Sequence, residues 1–136
     1  MKKISLLLLV LMYCFVNTYG QTSGDIICAF TKKDNGNIFT KNEDGSRYVN
    51  FQITGIALDE QAVALRQNVK LNGFVQEFTI SEETKEGIRL AYMSIAKGTK
   101  VDVLWNLLLN NGIKYIKLNN QIQQVTALKA KKGKKN

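Results

Sequence analysis

The chain has 136 residues, with nineteen lysines and arginines against eleven acidic residues, a formal charge of +8, two cysteines and no histidine. That length holds one domain. Without histidine, the usual base for a serine or cysteine nucleophile is missing, so the chain is read as no enzyme.

The first twenty residues have the layout of a secretory signal peptide. Lys2 and Lys3 precede an apolar run from Ile4 to Val16, and Thr18-Tyr19-Gly20 offers small residues for cleavage after Gly20. The apolar run is shorter than the roughly 20 residues of a membrane-spanning helix. Met12-Tyr13 before Cys14 are too bulky for a lipoprotein signal, so Cys14 is expected to leave with the leader. The expected location is therefore secreted or periplasmic.

The mature chain keeps a single cysteine, Cys28, within the apolar run Ile26 to Phe30 of a strand expected over Ile26 to Thr31. One cysteine closes no internal disulfide. A buried, inert thiol is the main reading, with an intermolecular disulfide or a metal ligand as alternatives. Asp34-Asn35-Gly36-Asn37 and Asn42-Glu43-Asp44-Gly45 are turn sequences. Residues 21–47 are expected to form an N-terminal extension, as a hairpin or a partly ordered segment.

From Tyr48 the pattern sharpens. Val49, Phe51 and Ile53 alternate with polar residues, which predicts a half-buried strand ended by Gly55. Asp59 and Glu60 open a helix at the positive end of its dipole. Leu58, Ala62, Leu65 and Val69 fall on one helical stripe. A second strand spans Phe74 to Ile80. The turn that follows holds Glu82, Glu83 and Glu86, read as solvated rather than as an acid–base or Ca²⁺ site. A third strand runs from Ile88 to Ile95, with Ile88, Leu90 and Tyr92 expected on the core side. Thr99 is the expected N-cap of a second helix, on which Val101, Leu104, Trp105 and Leu108 face inward. Ile113 to Leu118 makes a fourth strand, and Ile122 to Val125 extends the sheet or packs loosely.

This order predicts an α+β, ferredoxin-like βαββαβ sandwich over residues 48–125, with a four-stranded antiparallel sheet covered on one face by two helices. Residues 126–136 are expected to be a basic disordered tail. Leaving out the two leader lysines and the tail's Lys129, Lys131, Lys132, Lys134 and Lys135 leaves twelve basic residues against eleven acidic. The body is thus close to neutral, and the tail is suited to weak contact with an anionic surface.

The turn Gly55-Ile56-Ala57-Leu58-Asp59-Glu60-Gln61 resembles that of the heavy-metal-associated domain of copper chaperones and metal-pumping ATPases. That family shows a strand, Gly-Met-x-Cys-x-x-Cys and a helix. Here Gly55 matches, Ile56 stands for the methionine, and Leu58 and Gln61 stand where the family has its cysteines. Gly73-Phe74-Val75 is similar to the family's Gly-Val, and Gly112-Ile113 to its Gly-Tyr. The match spans about half the chain. The resemblance implies a binding scaffold that has lost its metal ligands, because soft ions select thiolates and neither leucine nor glutamine replaces one. Leu58 is then expected to be buried, sealing the loop, and Gln61 exposed.

The function expected from the sequence is an exported, non-catalytic accessory or interaction module of the cell envelope. It needs no cofactor, and its partner is a protein or another envelope component. The alternative is a copper- or zinc-binding protein with an atypical site at Cys28. Nucleic acid is not expected as a partner. The open sheet face, read as Asn50, Gln52, Thr54, Arg89, Ala91 and Met93, carries no aromatic side chain on which bases could stack.

Overall fold

The computed structural model describes residues 25–84 and 86–132. The signal peptide and its cleavage site lie outside the described residues. The elements are β1 (Ile27–Phe30), β2 (Thr40–Lys41), β3 (Arg47–Thr54), α1 (Asp59–Lys70), β4 (Val75–Ile80), β5 (Arg89–Ile95), α2 (Val101–Asn110), β6 (Tyr115–Leu118), β7 (Gln121–Gln124) and α3 (Val125–Lys132). Among the described residues no helix is long and apolar enough to cross a membrane.

The seven strands form one mixed sheet in the order β4-β5-β3-β1-β6-β7, with β2 also paired to β3. The expected four-stranded antiparallel ferredoxin-like sheet is therefore incorrect. The βαββαβ succession is present along the chain, but β6 does not pair with β3. The N-terminal segment lies between them. Cys28 stands opposite Ile53 in an antiparallel pair and opposite Ile116 in a parallel one. The same edge of β3 also carries β2, through Thr40 opposite Tyr48. Residues 27–30 and 40–41 are thus part of the sheet, and a boundary at residue 48 would cut through it.

Gly55 permits this insertion. Its φ is +90°, and a Cβ there would lie 2.3 Å from the Asp25 carbonyl oxygen. Only glycine combines that backbone conformation with so close a chain crossing.

One sheet face is packed. Cys28, Phe30, Val49, Phe51, Ile53, Phe78, Met93, Ile95, Ile116 and Leu118 are buried on it, beneath Leu65 and Val69 of α1 and Leu104, Trp105 and Leu108 of α2. Phe51 stacks on Phe30 at 4.8 Å and on Phe78 at 6.2 Å between ring centroids. The second contact reaches across β5, where Ala91, opposite Phe51, leaves room.

The faces of β5 are the reverse of those expected. Arg89, Ala91, Met93 and Ile95 point inward, while Leu90 is 57% exposed. The segment is apolar at both parities, so alternation does not decide it. The ion pair between Arg89 and Asp59 of α1 holds the observed parity. Consequently the open face does carry aromatics: Tyr48 and Tyr92 stack there at 5.8 Å.

Residues 125–132 form α3 rather than disordered chain. Val125 is fully buried and Leu128 packs on the core, which ties down a segment rich in helix-favouring alanine and lysine. Residues 133–136 of the expected tail lie outside the described residues. Thr99 does not cap α2. Its hydroxyl donates to the Ala96 carbonyl, and Lys100 occupies the N-cap position.

Candidate functional site

The residues singled out by the family resemblance have local structural roles. Leu58 is the N-cap of α1, in extended conformation, and is 56% exposed. The expectation that it seals the turn is wrong, because the helical stripe begins only at Ala62. Ile56, 3% exposed, fills the core there instead. Gln61 is exposed, and its side-chain oxygen accepts hydrogen bonds from the backbone N–H groups of Ala57 and Leu58 at 3.1 and 3.2 Å. It thereby supplies the return half of a capping box and satisfies donors at the helix start.

Cys28 is 1% exposed. Burial pushes its thiol up to about 12, so it stays protonated at neutral pH. A protonated, enclosed thiol is a poor ligand, since metals bind the thiolate. Among the described residues no three His, Cys, Asp or Glu side chains come together as a ligand cluster.

Glu82, Glu83 and Glu86 are exposed, as expected, but Glu83 is not merely solvated. Its carboxylate lies 3.8 Å from the guanidinium of Arg89, whose other partner, Asp59, lies at 2.9 Å. The 3%-exposed Arg89 side chain also donates to the Ser81 carbonyl at 3.4 Å, and its Nε has no hydrogen-bond partner. Asp59 thus both starts α1 and compensates a buried charge.

The feature with most capacity to bind is a groove of about 950 Å³ between the β1–β2 loop, the β2–β3 hairpin, α2 and α3. Its lining includes Lys32, Lys33, Lys41, Arg47 and Lys97, and among the described residues no carboxylate. These are five of the twelve cations in a nearly neutral body. The apolar part of the lining comes from Ile38, Phe39, Val101, Trp105, Leu118 and Leu128.

Local folding sets Lys33, Arg47 and Lys97 in place and fixes the backbone at Lys32. The turn from Lys33 to Asn37 is closed by backbone bonds of Gly36 N–H to Lys33 and of Lys33 N–H to Asn37. The Lys33 ammonium donates to the Thr40 hydroxyl. Asn119 and Asn120 adopt positive φ in the β6–β7 hairpin, as a two-residue turn requires. The Asn119 side chain accepts the Lys32 N–H at 2.9 Å, fixing the loop's entry. The Arg47 guanidinium lies 5.4 Å above the Phe39 ring and donates to the Thr99 carbonyl. Such stacking orients the cation at an apolar boundary.

The β2–β3 turn completes the wall. Gly45 has φ +88°, and a Cβ there would lie 2.9 Å from Cδ of Lys97, so the lysine stem rests on the bare glycine. Beside it, the Ser46 hydroxyl and N–H bond the Asp44 carboxylate at 2.6 and 2.8 Å. Those bonds, with a smaller contribution from Lys97, hold the Asp44 carboxyl below its usual range.

The sequence reading missed this groove. Its cations are spread over residues 32–97, and only the return of β2 to β3 gathers them. The linear sequence carries no local excess of charge to mark it, since residues 21–56 hold Lys32, Lys33, Lys41 and Arg47 against Asp25, Asp34, Glu43 and Asp44. A second depression, of about 500 Å³, lies on the open sheet face between Asn50, Gln52, Leu90 and Lys117. In comparison with known proteins, the chain matches no family model, no curated protein and no solved structure.

Proposed function

We propose that the chain is an exported, non-catalytic interaction module of the cell envelope, and that it binds an anionic envelope component through the basic groove. One observation carries this reading. Five of the body's twelve cations line one groove whose described lining has no carboxylate. Asp44 beside Lys97 offsets part of this charge, and the remaining like charges repel one another and attract an anion, an effect that salt screens. The leader at residues 1–20 supports export, with a mature N-terminus expected at Gln21.

The test is binding of the mature chain to dextran sulfate, with neutral dextran as control, at several salt concentrations. Lys32→Gln, Lys33→Gln and Lys41→Gln together should weaken binding and flatten its salt dependence. Substituting the tail residues Lys131, Lys132, Lys134 and Lys135 by glutamine should do less. If the tail substitutions abolish binding and the groove substitutions leave it intact, the groove is not the site.

A further inference from the structure

We infer that the groove holds a single-chain anionic amphiphile: one acyl or alkyl chain with an oxyanion head, taken up as a monomer. This rests on the anionic reading above and goes beyond it by assigning a role to the apolar part of the lining. A polyanion would need only the cations.

The cations and most of the apolar lining come from different elements, with Ile38 and Phe39 of the loop joining the apolar part. Lys32, Lys33, Lys41 and Arg47 come from the loop, β2 and the start of β3, whereas Val101, Trp105 and Leu128 come from the helices α2 and α3. Arg47 marks the boundary, since its guanidinium stacks over the apolar Phe39 ring. An occupant matched to this pattern carries its negative charge at one end and its hydrocarbon at the other. The volume of about 950 Å³ falls in the range of roughly 300–1,000 Å³ usual for small-molecule sites.

An extended peptide fits less well. Peptides commonly add to a protein as a further strand and need unpaired backbone groups. In the loop wall, the N–H groups of Lys33 and Gly36 are already bonded inside the turn. A cationic head is disfavoured by the absence of any carboxylate among the described lining residues.

Trp105 is the chain's single tryptophan and lines the groove, so its emission reports on the apolar part. The mature protein is titrated with 9,10-dibromostearate below its aggregation concentration. Bromine quenches indole only at close range. Saturable quenching by dibromostearate, competed by stearate and not by stearylamine, is expected. Lys32→Gln, Lys33→Gln and Lys41→Gln together should weaken the apparent affinity roughly ten-fold. Leu128→Ala, which trims the apolar lining, should weaken it, with the far-ultraviolet spectrum showing that α3 is kept. Lys33→Arg, which keeps the charge, should retain binding.

Dextran sulfate binding with no quenching by dibromostearate would overturn the amphiphile and leave the anionic reading standing. Binding only to phosphatidylglycerol vesicles, with no monomer uptake, would replace it with a membrane-surface contact. Equal quenching by brominated amines would show that the cations play no part. No binding to any of these probes would sink both readings.

Discussion

Two cationic regions of this protein are built in opposite ways. At one end of the sheet Arg89 is buried, and the chain brings it carboxylates from two elements, Asp59 at the start of α1 and Glu83 in the β4–β5 turn. At the groove, five cations line a surface cavity with no carboxylate among its described lining residues, Asp44 lying beside Lys97 outside that lining. The difference follows from solvation. Removing a guanidinium from water costs several kcal/mol unless paired charges and hydrogen bonds replace the water. Exposed lysines keep their water, and salt screens their mutual repulsion. Internal compensation is therefore required at Arg89 and optional at the groove, whose described lining has no carboxylate of its own.

The contrast can be broken most forcefully at Arg89. Arg89→Ala loses both the charge pair and the packing of the stem, and should destabilise by about 3 kcal/mol in urea unfolding. Arg89→Met keeps the volume and should recover most of that loss. Equal losses for the two variants would mean that charge, not packing, dominates. Asp59→Ala removes the nearest carboxylate, but its side chain is 81% exposed. Water then partly replaces it, so the expected cost is about 1–2 kcal/mol.

A third test uses the interior itself. Burial holds the Cys28 proton up to about 12, whereas an ordinary thiol here has 9.0. Below pH 9 both folded and unfolded chains are protonated and stability is unaffected. Between pH 9 and 12 only the unfolded chain loses its proton, so stability must fall. By pH 10 the loss is on the order of 1 kcal/mol, and Cys28→Ala should abolish the slope. In the native state the thiol should react with Ellman's reagent only as fast as the fold opens. The smallest effect is expected at the groove. Lys32→Gln with Lys33→Gln should change stability by less than about 0.5 kcal/mol, while measurably weakening anion binding. A large loss of stability there would remove the contrast.

Much of the fold was legible in the sequence. The alternation of Val49, Phe51 and Ile53, the stripe Ala62, Leu65 and Val69, and the stop at Asn111-Gly112 all correspond to real elements. Gly112, at φ +77°, ends α2 with Ile113 bonded back to Leu108 and Gly112 to Leu109. What failed was lateral information. Period-two patterning says which face a residue takes, not which strand lies beside it, so the place of β1 was invisible. At Leu90-Ala91-Tyr92-Met93 both faces are apolar, and the deciding contact, Arg89 with Asp59, spans thirty residues. Gly55 fits a family likeness, yet the crowding by Asp25 that requires it comes from the start of the neighbouring strand β1. The groove was illegible for the same reason.

The seating of β1 also orders events during synthesis. Its four residues pair in parallel with Tyr115 to Leu118, so the first described strand waits for nearly the last. Until residue 118 has emerged, one edge of β1 has no partner and Ile116 and Leu118 are missing from the interior. Closing so long a loop is slow, because its entropy is lost before the contacts form. A nascent chain that stops before Tyr115 should therefore remain sensitive to protease, and should become resistant in a single step once β6 joins.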